Sequence, residues 1–396
     1  MGLISVPEGL GRDAKMLLAM ATAGGLFGGS IGYVIQLYLK AVGFDSRAIG
    51  LMFTANVVCS AVFAIPFGII GDRFGRRNAM IVGGLAYDLF IVLLLTTRSF
   101  PLLLIAFGLM GLGNSSFSVL MQPLYASYFR NEEMDKAFSL MGFLNLASSA
   151  AGSLLGYIPP ALMSWYGLSL ARAYWSLMAG GAMLLVVIST LLVMVKPDRP
   201  NAQGFSFRLE SKGVMLRFGA LNALLGLGAG MFIELFTYFL SVKFSVESAA
   251  IGTMFFATNV VAALANLAAH RISRRFGAFG GILTCLGLTL PLHLGTVLAP
   301  AYPLAAASYV ARSGFINIYM TLMNSLMMKM TKDEERATVS SVATIANMLP
   351  RGAGSALGGM LMATSLNLPG YLSIALYAAT AASFYLMFKG QTEREA

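Results

Sequence analysis

The sequence predicts an all-α protein that crosses a membrane many times. Of its 396 residues, 57% are hydrophobic and only 11% are charged, and the mean hydropathy is +0.75. Soluble chains carry about 25% charged residues, so this composition excludes an ordinary soluble fold. Apolar runs recur along the chain, and many contain the ~20 residues that a helix needs to span the hydrocarbon core.

Twelve such runs predict twelve transmembrane helices. We place them at residues 16–40, 48–70, 78–96, 100–129, 137–163, 169–195, 214–242, 249–269, 278–299, 302–330, 337–364 and 369–388. The longest hydrophilic connection, Lys196–Lys212, follows the sixth run. It predicts an N-terminal six-helix bundle at 1–195, a cytoplasmic linker at 196–213 and a C-terminal six-helix bundle at 214–396.

Basic residues predict the orientation of these helices. Most of the 27 Lys and Arg residues fall in the connections that share one side with the N-terminus. Short loops rich in Lys and Arg stay on the cytoplasmic side. Both termini are therefore expected in the cytoplasm. The stretch Met1–Lys15 has no cleavable signal pattern, and we expect a multi-pass protein of the plasma membrane.

The two halves of the chain repeat each other. Ala48–Phe53 recurs as Ala250–Phe255, with four further pairs at the same spacing: Asn145 and Asn347, Gly152 and Gly354, Ser153 and Ser355, and Gly156 and Gly358. All of these offsets are 202 residues. A register held across half of the chain predicts two six-helix bundles related by a pseudo-two-fold axis along the membrane normal.

A short basic stretch separates the second and third runs and reads GIIGDRFGRR from Gly68 to Arg77. It resembles the signature loop of the major facilitator superfamily, G-x-x-x-D-R-x-G-R-R/K. The matching residues are Gly68, Asp72, Arg73, Gly75, Arg76 and Arg77. With the helix count and the repeat, the resemblance covers nearly the whole chain and extends to the drug/proton antiporter-like branch. It implies a substrate path between the bundles, lined by helices 1, 4, 7 and 10.

The resemblance also implies that this loop acts as a gate. In the family fold, Asp72 would lie near the start of helix 11, where Arg336 adds to the positive end of the helix dipole. We expect Asp72 to hold the halves together on the inside and to favour the outward-open state.

Ionisable residues within the apolar runs are candidates for transport chemistry, because each costs about 2.5–3.5 kcal/mol on insertion scales. Glu234 and Asp88 are the proton-coupling candidates. Glu234 is expected to pair with Arg312 or to exchange protons, and Asp88 either takes part in coupling or accepts a hydrogen bond within its bundle. Arg351 follows Pro350 and is expected to bind an anionic group or to cap a carbonyl that the proline frees.

Polar residues near mid-depth complete the predicted cavity. The substrate-cavity candidates are Gln36, Asn114, Asn145, Arg312, Asn317, Asn347 and Arg351. Each uncharged member can instead be a hydrogen-bonded tie between helices. His293 is expected to be structural.

The exporter signatures of the superfamily match only in part. The stretches at 152–156 and 354–359 resemble G-P-x-x-G-G, but Ser153 and Ser355 stand where proline is expected. Close packing of small residues is the alternative explanation. Phe107 occupies the helix-4 position at which exporters carry an arginine.

The sequence therefore predicts a secondary active transporter of small organic molecules that works by alternating access and proton-coupled export. The alternative is a facilitator or symporter of an anionic metabolite that uses Arg312 and Arg351. A receptor or lipid scramblase on the same fold is a third reading. No enzyme activity, cofactor or metal site is predicted, since no G-x-x-x-x-G-K-[ST] loop and no metal-ligand cluster occur in the sequence.

The expected partners follow from the same reading. They are a small-molecule substrate, protons as the coupling ion and the lipid bilayer, and we expect a monomer. The net charge of +10 does not indicate nucleic-acid binding, because the basic residues are spread over short loops.

Overall fold

The computed structural model describes residues 10–198, 211–332 and 335–395, and it is helical throughout these ranges, with no strand. The helices are α1 Arg12–Ala41, α2 Ser46–Phe74, α3 Arg76–Thr96, α4 Phe100–Ala126, α5 Met134–Ser153, α6 Ile158–Tyr166, α7 Leu170–Met194, α8 Lys212–Phe232, α9 Phe236–Lys243, α10 Ser248–Leu298, α11 Tyr302–Met330, α12 Arg336–Thr364 and α13 Leu368–Glu395. Short 3-10 turns lie at Asn131–Glu133, Leu154–Tyr157 and Ile233–Leu235. The all-helical class is confirmed.

Within the described ranges, nine helical stretches are long and apolar enough to cross a membrane. They are α1, α2, α3, α4, Met134–Tyr166, α7, Lys212–Lys243, α10 and Leu368–Lys389. Many large apolar side chains are exposed on them, such as Met183 at 75% and Leu267 at 75%. Lipid covers such surfaces in a membrane protein, so the polytopic character predicted from composition is confirmed.

Helix α10 is far longer than one membrane span. Its 51 residues would measure about 76 Å as a straight helix at 1.5 Å per residue, more than twice the hydrocarbon thickness. Gly277 breaks it, with φ 68° and ψ 171°. Glycine adopts such a positive φ without a steric penalty. The break falls between the two predicted segments 249–269 and 278–299.

The chain divides into two compact units. Unit 1 comprises Met1–Phe44, Ala55–Phe205 and Glu247–Phe256, and unit 2 comprises Asp45–Thr54, Ser206–Val246 and Ala257–Ala396. Each unit thus takes ten residues from the other half of the sequence. The first turns of α2 belong to unit 2, and the first turns of α10 belong to unit 1. The domain boundaries predicted at 195 and 214 stay predictions.

In unit 1, α1 packs along α5 and α7, and α3 packs along α4. The side chains of Leu17, Met80 and Leu124 are fully buried in this core. Backbones meet directly between α1 and α5, because a Cβ on Gly152 would lie 2.0 Å from the carbonyl oxygen of Leu26. Small residues permit this close approach, which is typical of membrane helices.

In unit 2, glycines allow the same close approach of helix backbones between α8 and α12. A Cβ on Gly226 would lie 2.2 Å from the Asn347 carbonyl oxygen, and one on Gly230 would lie 2.0 Å from the Arg351 carbonyl oxygen. We call this contact the α8–α12 glycine seam, which also includes Gly358. It is the counterpart of the α1–α5 contact, as the internal repeat predicts.

The exchanged segments are held by matched hydrogen bonds. In unit 2 the Ser46 hydroxyl donates to the Gly359 carbonyl at 2.8 Å. In unit 1 the Ser248 hydroxyl donates to the Gly156 carbonyl at 2.7 Å. Ser46 and Ser248 are 202 residues apart, so the repeat extends to individual side-chain contacts.

Candidate functional site

The signature loop is a one-residue turn. Helix α2 ends at Phe74 and α3 begins at Arg76, so Gly75 alone connects them, with φ 92°. This left-handed conformation favours glycine and explains why the motif requires it there. Arg73 lies in the last turn of α2, and a Cβ on Gly68 would lie 3.7 Å from Val119 of α4.

An unpredicted carboxylate anchors this loop. Asp198 lies four residues beyond α7, and its two oxygens accept hydrogen bonds from the backbone N–H groups of Arg76 at 3.1 Å and Arg77 at 3.2 Å. An acid at a helix N-terminus satisfies free N–H groups and opposes the helix dipole. The Arg77 guanidinium donates to the carbonyls of Leu192 and Val193 in α7. The loop is therefore attached to α7 and to the residues that follow it. In the sequence, the only sign of this contact was a single acid more than 120 positions from the loop.

Asp72 takes a local partner within the loop. Its Oδ1 lies 3.4 Å from an Arg76 guanidinium nitrogen, and the two side chains are 48% and 25% exposed. Such exposed pairs contribute about 0–1 kcal/mol. In unit 2, Arg336 Nε donates to the Met328 carbonyl at 3.1 Å. The expected contact between Asp72 and the start of α12 stays a prediction.

Asp198→Asn is expected to lower the free energy of unfolding by about 1–2 kcal/mol, since it removes the charge that caps α3 while conserving side-chain size. Thermal unfolding of the purified protein in detergent measures this loss. Glu132→Gln is the matched control, because Glu132 is exposed and lies outside any α-helix. Equal unfolding midpoints for the two variants would contradict a capping role for Asp198.

Glu234 lies where a membrane-spanning helix is interrupted. The turn Ile233–Leu235 separates α8 from α9. Phe232, just before this turn, and Leu235, its last residue, have non-helical backbone angles. The Glu234 carboxylate forms an ion pair with Arg351 Nε of α12. Their side chains are 15% and 37% exposed, respectively. The structure therefore places an acid–base pair at a helix break.

The predicted partner of Glu234 was Arg312, and the structure gives Arg351 instead. Arg312 is only 4% exposed, and its Nε donates to His293 Nδ1 at 3.3 Å. Another of its nitrogens donates to the Tyr377 hydroxyl at 2.8 Å, and the guanidinium lies 5.2 Å from the centre of the Tyr377 ring. His293 and Tyr377 are therefore the side-chain hydrogen-bond partners of Arg312 among the described residues, and a structural role for His293 stays a prediction.

The glycine seam explains the change of partner. Gly230 brings the α8 backbone against the backbone of Arg351. Glu234 follows Gly230 by four residues, which is about one helical turn, so its side chain lies beside α12. The position of Glu234 along its own helical segment could be predicted from the sequence, whereas the helix that its side chain contacts could not.

Three predicted cavity asparagines donate hydrogen bonds to backbone carbonyls, and two of these bonds join helices. Asn145 Nδ2 donates to the Ala21 carbonyl, and Asn347 Nδ2 donates to the Asn222 carbonyl, both at 3.1 Å. These bonds join α1 to α5 and α8 to α12. Asn317 Nδ2 donates to the Ser313 carbonyl of its own helix at 2.8 Å. A hydrogen bond between helices was the alternative that the sequence left open, and Asn145 and Asn347 form such bonds.

The remaining candidates include one buried residue of α1 and two residues that share a cavity. Gln36 is 5% exposed. Asn114 and Asp88 line a cavity of about 460 Å³ within unit 1, together with Asn145. Asp88 Oδ2 accepts a hydrogen bond from the Ser189 hydroxyl at 2.9 Å. Asp88 therefore has the expected bond within its bundle and also faces a cavity, which the sequence did not predict.

The unit 1 cavity is formed by α1, α3, α4, α5 and α7. Its wall combines the polar side chains with aromatic rings and methionines. No group of three or more His, Cys, Asp or Glu residues suited to a metal ion occurs within 10–198, 211–332 and 335–395.

Comparison with protein families decides the wider relationship. The family model for the Major Facilitator Superfamily matches residues 16–355. The chain belongs to the major facilitator superfamily. The signature loop, the internal repeat and the membrane helices described above are consistent with this membership.

Relatives within the superfamily include a spinster protein. The chain is 30% identical to protein spinster homolog 1 of Xenopus laevis over 164 residues, which cover 40% of this chain and 30% of that protein. The match therefore spans less than a third of the relative's length. An uncharacterised membrane protein of Saccharomyces cerevisiae is 21% identical over 401 residues, or 88% of each chain.

Among solved structures, a bacterial homologue of the human lysosomal transporter spinster, crystallised in an inward-facing, unoccupied conformation, superposes with a TM-score of 0.77. Sequence identity is 13%, and the alignment covers 97% of this chain and 98% of the other. At this identity the likeness establishes the fold, which is that of membrane transporters.

Proposed function

We propose that the protein is a secondary active transporter that moves small organic molecules by alternating access and exports them in exchange for protons. Membership of the superfamily supports transport in general. The observation that carries the proton-coupled form is the Glu234–Arg351 ion pair at the interruption between α8 and α9. Ionisable groups at membrane depth commonly mark proton or substrate pathways.

The pair can couple a proton to a helix movement. While Glu234 is ionised, its carboxylate attracts the Arg351 guanidinium and ties the broken helix to α12. Protonation removes that charge, weakens the tie and leaves Arg351 free to turn towards an anionic group. A ligand or proton that binds the two arrangements with different affinity shifts the balance between them.

The proposal includes a topology of twelve spans. α10 supplies two spans on either side of Gly277, and α11 and α12, with 29 residues each, are long enough to cross the bilayer. Added to the other stretches, they give two six-helix bundles at 1–195 and 214–396, joined by a linker at 196–213. The excess of basic residues in alternate connections supports cytoplasmic termini and a plasma-membrane location.

Purified protein reconstituted into vesicles with an entrapped pH dye tests this function. Organic amines, carboxylates, neutral nucleosides and amphiphiles are added in turn under an imposed pH gradient. We expect at least one class to drive proton movement above that of protein-free vesicles. Neither proton movement nor uptake with any class would contradict secondary active transport.

One observation favours the alternative, a facilitator or symporter of an anionic metabolite. Arg312 is buried, and within the described residues its side-chain hydrogen bonds go to uncharged groups, His293 and Tyr377. A buried cation without a carboxylate partner attracts an anion. In the vesicle experiment, movement driven by carboxylates and lost in Arg312→Gln would favour this alternative over export of amines.

A further inference from the structure

We propose that the unit 1 cavity is a binding site for a protonated organic amine with an apolar body. As a statement about the transported substrate, this inference rests on the proposed transport function. As a statement about binding, it stands on three features of the cavity: its charge, the hydrogen-bonding groups on its wall and its apolar surface.

The first feature is a carboxylate, Asp88, that has no basic side chain beside it among the described residues. Asp88 is the charged residue among those that line the cavity. Its Oδ2 accepts the Ser189 hydroxyl at 2.9 Å, and among the described residues no Lys, Arg or His lies within 4.0 Å of its oxygens. A carboxylate among apolar helices is costly unless it is neutralised or paired. The cavity therefore favours a cation as its occupant.

The second feature is a set of hydrogen-bond acceptors on residues that line the cavity. Asn114 Nδ2 donates to Asn56 Oδ1 at 3.2 Å, and Asn145 Nδ2 donates to the Ala21 carbonyl at 3.1 Å. Within the described residues, the amide oxygens of Asn114 and Asn145 accept no hydrogen bond. Asp88 Oδ1 is a third such acceptor, and all three atoms belong to residues that line the cavity. An ammonium group supplies three donors and no acceptor.

The third feature is an apolar and polarisable wall. The rings of Phe27 and Tyr87 meet edge to face with centroids 6.3 Å apart, and Phe117 also lines the cavity. Aromatic faces attract cations. Met20 and Met141 lie on the same wall, and methionine adapts to irregular ligands. About 460 Å³ falls within the usual range of small-molecule pockets.

Three probes of matched shape test the site: 4-phenylbutylamine, 4-phenylbutanol and 4-phenylbutyrate. Binding to the full-length purified protein is measured by calorimetry at about pH 7, well below the ~10.4 at which an alkyl ammonium titrates. We expect the amine to bind at least about tenfold more tightly than the alcohol, or about 1.4 kcal/mol. The carboxylate is expected to bind more weakly than both.

Asp88→Asn is expected to remove the preference for the amine over the alcohol. Asp135→Asn is the matched control, because Asp135 is an exposed acid at the start of α5 in the same unit. Equal binding of amine and alcohol to the wild-type protein would overturn the proposal, and so would a preference that survives in Asp88→Asn. The wild-type comparison decides the matter even if Asp88→Asn does not fold.

The result separates this inference from the transport proposal. If the amine does not bind but another compound class drives proton movement in vesicles, the cavity assignment fails and transport stands. If the amine binds through Asp88 but no compound class is moved, the cavity stands as a binding site and transport fails.

Discussion

Glu234→Gln is expected to reduce substrate-driven proton movement to the level of protein-free vesicles. Glutamine keeps the side-chain length and the oxygen that accepts the hydrogen bond from Arg351, but it has no charge and takes up no proton at physiological pH. The pair would be fixed in one protonation state, so the proton gradient could no longer drive the cycle. Exchange of substrate for substrate, which needs no net proton movement, is expected to continue in part.

Two variants complete this experiment. Glu247→Gln is the matched control, since Glu247 is an exposed acid just before α10, and proton movement in it should equal that of the wild type. Arg351→Gln removes the other partner and is expected to impair coupling as well. Wild-type proton coupling in Glu234→Gln would remove Glu234 from the mechanism and leave the ion pair with a structural role.

Gly230→Ala is expected to lower the free energy of unfolding by about 1–3 kcal/mol, the usual cost of overpacking. The added Cβ would lie 2.0 Å from the carbonyl oxygen of Arg351 and 2.8 Å from its carbonyl carbon. Both are backbone atoms, so no side chain can move aside and the two helices must separate. Separation displaces Arg351 relative to Glu234, so proton coupling should fall together with stability.

Gly219→Ala provides the control on the same helix. A Cβ at Gly219 would lie 3.9 Å from the Cβ of Ala346 in α12, which is an ordinary contact. Replacing a helical glycine by alanine there is expected to be neutral or to stabilise by up to about 1 kcal/mol. Thermal unfolding midpoints measure both variants. A midpoint for Gly230→Ala as high as that for Gly219→Ala would show that the glycine seam tolerates a side chain.

Much of the fold could be predicted from the pattern of residues. Gly75 and Gly277 are 202 residues apart, and both adopt positive φ at a break between helices. The equivalent bonds of Asn145 and Asn347 follow the same repeat. Repeated sequences make repeated local contacts, because backbone preference and small-residue packing act over a few turns of helix.

The candidate site was less predictable. Asp88, Asn114 and Asn145 were selected separately, as acids or amides at membrane depth, and the fold brings them to one cavity. The role of Asp198 depended on hydrogen bonds that its carboxylate accepts from backbone N–H groups more than 120 positions away. Such long-range contacts depend on which helices become neighbours.

The sequence by itself determined the helical membrane class and the internal repeat, because hydrophobicity and the 1.5 Å rise per residue are properties of the chain alone. The tertiary structure decided which residue each ionisable side chain contacts. Arg351 rather than Arg312 pairs with Glu234, since the glycine seam packs α8 against α12. The direction in which a helix face points is set by close packing between backbones.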